Sequence, residues 1–309
     1  LRDPRYSAKL TLCLATVYIV WGSSFLITKI AVTNLPPALF SGIRFSFAGV
    51  FLMVIAGAYR GDAWPKQWLD WRHAAITGFF MVVTSNGLST WSLQHIPSNQ
   101  AALLTGTSAF WIAGLGQFGR RGHPLTRSAL VGLLISFVGA VLMLIPRQPL
   151  TRLDALGQLG VLTGSLGWSL GTLYYRGIDT HLSSLMFMAM QMLVGGFMLL
   201  CIGLLHGDAA HFSPTLPGTL AMLYLIFFSS CLAYTAYGWL TVNSTPAIIG
   251  TYSYVNPAIA AFLGWQFLHE HLSRTQLLGM VIIIAGVSIL TRPGGSLTDP
   301  KTLAEPKTQ

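Results

Sequence analysis

Charge is scarce in this sequence. Only 9% of its residues are Asp, Glu, Lys or Arg, against about 25% in a soluble domain. Acids are scarcer than bases, at 9 Asp and Glu to 18 Lys and Arg. A chain that is 53% hydrophobic cannot coat a water-facing surface with so few charges. Soluble globular, disordered and collagen-like classes are therefore excluded. Cysteine is also rare. Cys13, Cys201 and Cys231 lie in apolar runs at irregular spacing, so neither a disulfide framework nor a zinc site is indicated. No polar stretch is long enough to hold a soluble catalytic domain. What is plentiful is apolar sequence of membrane-spanning length.

A membrane helix needs about 20 apolar residues. Apolar runs bounded by charge, Pro or Gly predict ten spans, at 10–30, 37–58, 73–93, 98–118, 127–146, 157–176, 182–205, 216–240, 246–268 and 275–292. The first run continues without a small-x-small cleavage signal, so a retained span is expected rather than a removed signal peptide. Thirteen of the 18 Lys and Arg then fall on one side of the membrane and four on the other, with Arg44 inside a span. The positive-inside rule places both termini in the cytoplasm. It also accounts for the net charge of +9 without a nucleic-acid partner.

A shift of 147 residues brings the two halves into register. Trp21 falls on Trp168, Gly49 on Gly196, Gly132 on Gly279 and Gly139 on Gly286. This single offset serves the first, second and fifth spans of each half. A unit of five spans is odd, so its copy enters the membrane inverted. The expectation is an all-α membrane protein of ten transmembrane helices, a five-plus-five inverted-topology repeat around a central cavity. The repeats would be 1–150 and 151–292, followed by a polar tail at 293–309.

The sequence resembles the drug/metabolite transporter superfamily, and within it the EamA-type bacterial exporters. The likeness is carried by Trp-Gly-Ser-Ser-Phe at 21–25, followed by Lys29; by Arg44-Phe45; and by Pro257 through Gly264 to His-Glu-His-Leu-Ser at 269–273, with Gly279 and Gly286 beyond. It covers residues 10–292. One departure is His123, which stands where many relatives keep an acid equivalent to Glu270. The resemblance implies inner-membrane export of small metabolites, with aromatic amino acids foremost. It also implies that spans one, three, four, six, eight and nine surround the cavity.

Candidate site residues follow from type and depth. Trp21 and Trp168 sit near mid-span rather than at an interface; helix packing and cavity wall are the two readings. Tyr234, Tyr237, Tyr252 and Tyr254 add rings with hydroxyls on spans eight and nine, suited to stacking on a flat substrate. Ser85 and Ser89 share a helical face. Thr107 and Trp111 lie in span four, and Ser169 lies beside Trp168. Small polar residues equally permit close helix contact. Pro246 and Pro257 are hinge or gate candidates. Arg44 is buried in a span, at a cost of about 2.5–3.5 kcal/mol near a helix centre. Tethering of neighbouring helices is its first reading and substrate contact its second. Lys29 is expected to snorkel to the interface, and Glu270 is grouped with these structural charges.

None of the nine acids is predicted near the midplane, which argues against a carboxylate-coupled pump. Gly167-Trp-Ser-Leu-Gly171 matches G-x-S-x-G but lies in a predicted membrane helix, not a strand-turn-helix elbow. His269-Glu-His271 is too short for H-E-x-x-H. No catalytic residue, metal site or cofactor is expected. The partners are a small-molecule substrate and membrane lipid, and the oligomeric state is left open. The alternatives are a nucleotide-sugar or lipid transporter of the same superfamily and, further off, an intramembrane hydrolase.

Overall fold

The structure is a computed structural model, and it describes residues 4–116, 127–144, 151–244, 252–269 and 273–290. These residues form helices joined by short loops, and the chain is an all-α, multi-pass membrane protein. α1 is Pro4–Ala31. α2 is Pro37–Val54, extended by a π-helical stretch at Ile55–Tyr59. α3 runs from Trp68–Gly78 through a π-helical stretch at Phe79–Gly87 to Leu88–Ser92. α4 is Ser98–Thr105 and, after a break at Gly106 and Thr107, Ser108–Leu115. α5 is Arg127–Leu144, α6 Arg152–Gly177 and α7 Ser184–His206. α8 joins Leu216–Tyr224, a π-helical Leu225–Ala233 and Tyr234–Asn243. α9 is Tyr252–Leu268 and α10 Arg274–Leu290.

The ten-span expectation is met in part. Among the described residues, four helices are long and apolar enough to cross a membrane: Tyr6–Ala31, Pro37–Ala58, Ser184–His206 and Leu216–Thr241. α6 has the length, at 26 residues, but Gly, Ser and Thr dilute its apolar character. Its Gly157, Gly160, Gly164, Gly167 and Gly171 follow each other at spacings of three and four, along one face. An added methyl on any of them would run into α3 or the turn after it, as at Gly171, 2.3 Å from Met81. The glycines of the rejected G-x-S-x-G match are thus a helix-packing ridge. The outer surface is apolar in the manner of a lipid-facing bundle, with Leu12, Ile19, Phe47, Phe197 and Leu205 all exposed.

Two helix pairs carry the register of the internal repeat. α2 packs antiparallel on α7. A methyl added at Gly49 would lie 2.5 Å from the Leu193 amide nitrogen, and one at Gly196 would lie 2.4 Å from that of Ser46. Shifting the first contact by 147 residues produces the second. α5 packs on α10 in the same way. The Gly139 position faces the Gly279 carbonyl oxygen at 2.7 Å and the Gly286 position that of Gly132 at 2.6 Å.

A second correspondence uses an offset of 146 rather than 147. Gly61-Asp62-Ala63 matches Gly207-Asp208-Ala209. Gly61 and Gly207 take positive φ, 65° and 85°, where a Cβ would be strained. Each following Asp serves the N-terminus of the opposite helix. Asp62 accepts from the hydroxyl of Ser183, the N-cap of α7, at 2.6 Å. Asp208 accepts from the Leu39 amide in the first turn of α2 at 3.4 Å. The π-helical stretch at Ile55–Tyr59 absorbs the extra residue; α7 has no such stretch.

Candidate functional site

The site forms where helices cross around two rings. Trp21 on α1 and Trp168 on α6 meet edge to face, with centroids 5.4 Å apart. Tyr234, Tyr237 and Tyr252 close around Trp21 at centroid distances of 5.4, 5.1 and 5.7 Å. Trp168 donates its indole N–H to the Tyr237 hydroxyl at 3.2 Å, and Thr172 shares that hydroxyl at 3.2 Å. This ring cluster is the closed floor of a cavity of about 750 Å³, counting its partly open mouth.

The cavity runs from the rings toward the end of the bundle where α1 and α3 finish. Trp21, Ser24, Phe25 and Thr28 line it from α1, and Ser85, Asn86, Ser89, Thr90 and Leu93 from α3. α4 supplies Thr105 and Ser108, and α6 supplies Ser165 and Trp168. Ser229 and Tyr234 of α8, with Tyr252 and Asn256 of α9, complete the opposite wall. The six helices implied by the resemblance all contribute. α2 adds one residue, Arg44.

Two π-helical stretches shape this wall. Because π turns bond i to i+5, some carbonyls are left for side chains. The Met81 carbonyl accepts from the Asn86 amide at 2.7 Å, and that amide also donates to the Tyr234 hydroxyl at 2.7 Å. The Ser229 carbonyl accepts from the Trp21 indole at 3.3 Å. Arg44, 4% exposed, donates through Nε to Ser230 Oγ at 2.8 Å and through Nη2 to Ser229 Oγ at 2.9 Å. Its guanidinium also lies over the Phe45 ring, 4.6 Å from the centroid.

Model-based comparison of the sequence finds the EamA-like transporter family twice, at residues 9–145 and 155–292. The chain belongs to the EamA-like transporter family. That membership is one of transporters, not enzymes. The uncharacterized inner membrane transporter YedA of Escherichia coli strain K12 is 31% identical over 280 residues, covering 90% of this chain and 89% of that protein. The uncharacterized transporter YvbV of Bacillus subtilis is 24% identical over 281 residues, 90% of each chain. A "Probable amino-acid metabolite efflux pump" of Salmonella typhimurium is 24% identical and covers 88% of this chain and 91% of its own. One solved crystal structure superposes with a TM-score of 0.66 at 19% identity, over 91% of this chain and 96% of that one, which shows a shared fold.

In this EamA-like chain the structure separates the expected site residues into two groups. Trp21, Ser85, Ser89, Trp168, Tyr234 and Tyr252 line the cavity. Tyr237, Thr107, Trp111 and Ser169 do not. Tyr237, 1% exposed, belongs to the ring cluster but does not border the cavity. Thr107 bonds the Leu104 carbonyl at 2.7 Å in the break of α4. Trp111 meets Phe110 edge to face, with centroids 5.0 Å apart. Ser169 ties α6 to α4 through the Ser108 carbonyl at 3.0 Å. Pro257 lies within α9 and faces a small apolar recess with Leu103 and Ile283. Pro246, Glu270 and the side chain of Tyr254 lie outside the described residues.

Lys29 lies in the last turn of α1. Its ammonium donates to the Leu93 and Ile96 carbonyls at 2.6 and 2.9 Å, at the C-terminal end of α3. Arg176, its counterpart at the end of α6, donates to the Thr241 carbonyl near the end of α8 at 3.2 Å. Each cation therefore meets the negative end of a helix dipole. Sequence reasoning missed Ser24, Phe25, Thr28, Thr90, Leu93, Ser229 and Asn256 as cavity residues. The signal for Ser229 was its adjacency to Ser230 in a span facing the only buried cation predicted.

Proposed function

We propose that the chain is a bacterial inner-membrane exporter of small amphipathic metabolites, with aromatic amino acids its foremost substrates, working by alternating access. The carrying observation is the cavity, which has a floor of indole and phenol rings, hydroxyl and amide walls, and a location between two sequence-related halves. Those halves, 1–150 and 151–292, form five spans each in inverted orientation, and both termini are cytoplasmic. The matched glycine contacts, the reciprocal Asp62 and Asp208 caps and the twofold family match support this arrangement. With that orientation the mouth opens outward and the ring cluster seals the cytoplasmic side. Exchange of conformations between the halves reverses the two. Arg44 is the one cation among the described residues lining the cavity, too little positive charge for a diphosphate. This weighs against a nucleotide-sugar reading.

The test is counterflow of radiolabelled Phe, Tyr or Trp in proteoliposomes. Saturable exchange is expected. A folded, reconstituted protein that exchanges none of the three overturns the aromatic substrate.

A further inference from the structure

We infer that the cavity holds an α-amino-acid head group, with the carboxylate on Arg44 and the ammonium on the side-chain oxygen of Asn256. The inference rests on the exporter reading and adds what recognises the polar end of the substrate.

The first observation is an uncancelled charge. Arg44 is 4% exposed and borders the cavity. It donates to two neutral hydroxyls, those of Ser230 and Ser229. These orient the guanidinium without neutralising it. Among the described residues no carboxylate lines the cavity. A guanidinium has five donors in a planar fork, and the serines engage two of them. A carboxylate is the planar, two-oxygen anion that fits such a fork. Bound in a site of low dielectric, it would supply the missing counter-charge.

The second observation is an acceptor without a donor. Asn256 is 4% exposed and lines the same cavity. Its Oδ1 is buried and accepts no hydrogen bond, a state that carries a desolvation penalty. It lies one helical turn beyond Tyr252 on α9, and so on the same face. An ammonium is a donor with no acceptor capacity, complementary to this oxygen. The faces of Trp21, Trp168 and Tyr252 offer further cation–π attraction. The two residues give the cavity a donor fork and an acceptor. That combination selects a zwitterion over either ion alone, because a lone cation meets the field of Arg44 and a lone anion leaves Asn256 unpaired.

Calorimetric titration of the purified full chain in detergent tests this with four probes: L-phenylalanine, phenethylamine, 3-phenylpropionate and L-leucine. Phenethylamine and 3-phenylpropionate are each expected to bind about tenfold or more weakly than phenylalanine, the loss of a charge-assisted bond. Arg44→Gln should reduce phenylalanine affinity to near that of phenethylamine and leave phenethylamine unchanged or tighter. A misfolded protein would lose both. Asn256→Leu should erase the advantage of phenylalanine over 3-phenylpropionate. Phenethylamine binding the wild-type protein as tightly as phenylalanine overturns the carboxylate role of Arg44. Equal binding of 3-phenylpropionate overturns the role of Asn256. Arg44-dependent binding of leucine without phenylalanine supports the head-group site while removing the aromatic preference. Equal binding of the three aromatic probes removes the head-group site while leaving the aromatic cavity. Binding of none of the four by folded protein overturns the inference.

Discussion

Trp21 and Trp168 touch edge to face at the floor of the cavity, 5.4 Å between centroids. They stand 147 residues apart, in register in the two halves. Their indole N–H groups go to different partners, the Ser229 carbonyl and the Tyr237 hydroxyl. Sequence-equivalent residues thus meet at the centre while the hydrogen bonds around them differ.

Truncating a fully packed Trp costs about 3–5 kcal/mol. Because Trp21 and Trp168 border open volume, alanine at either should cost less than that. Counterflow should fall by about tenfold or more, equivalent to roughly 1.4 kcal/mol of barrier. Thermal melts and counterflow on the same preparations check this. Stability losses within the packed-Trp range would make the rings core rather than site.

Gly139 and Gly286 hold α5 and α10 at contact distance. Gly139→Leu or Gly286→Leu should destabilise the protein by at least about 1–3 kcal/mol through overpacking and reduce the monodisperse yield on size-exclusion chromatography. Gly114→Ala, where a methyl has nothing within 4 Å, should leave the yield unchanged.

Asp62→Ala and Asp208→Ala should each cost about 1 kcal/mol, as lost helix-cap contacts. The two sites are separated by the 18-residue length of α2, about 27 Å at 1.5 Å per residue. The double variant should therefore show the sum, measured as a melting-temperature shift. A non-additive result would mean that the two ends are coupled through the α2–α7 pair.

Lys29→Met and Arg176→Met remove the cations that face the last carbonyls of α3 and α8. Each should lower stability by about 1–2 kcal/mol. Lys29→Arg should retain most of it. Melts in nanodiscs at low and high salt measure the size of the loss. A loss at Lys29 that high salt abolishes would favour a solvent-exposed charge over the half-buried carbonyl contact.

Several site residues were legible because type and depth alone point to them. A mid-span Trp, a Ser face and a buried Arg have few roles in a membrane. Tyr237 and Ser169 shared those features yet ended behind the wall, since neighbouring positions on one helix can face a cavity or a packed partner. The register was legible only piecewise. Gly49 with Gly196 and Gly139 with Gly286 share one offset, whereas Gly61-Asp62-Ala63 with Gly207-Asp208-Ala209 needs another. The π-helical stretch between Gly49 and Gly61 adds a residue that hydropathy cannot reveal. One residue rotates the following face by about 100°, so an offset that holds at Gly49 fails at Gly61.

By itself the sequence determined that this chain lies in a membrane as helices, because so few charges cannot solvate a surface and apolar runs recur at spanning length. It also determined the glycine and tryptophan correspondences, which need only identity and spacing. The tertiary structure alone decided which polar groups meet. Ser229 and Ser230 hold Arg44, Lys29 meets the end of α3, and Asn256 lines the cavity while its buried Oδ1 accepts no hydrogen bond. These outcomes depend on helix rotation and on where helices end, and both are settled by packing between segments far apart in the chain.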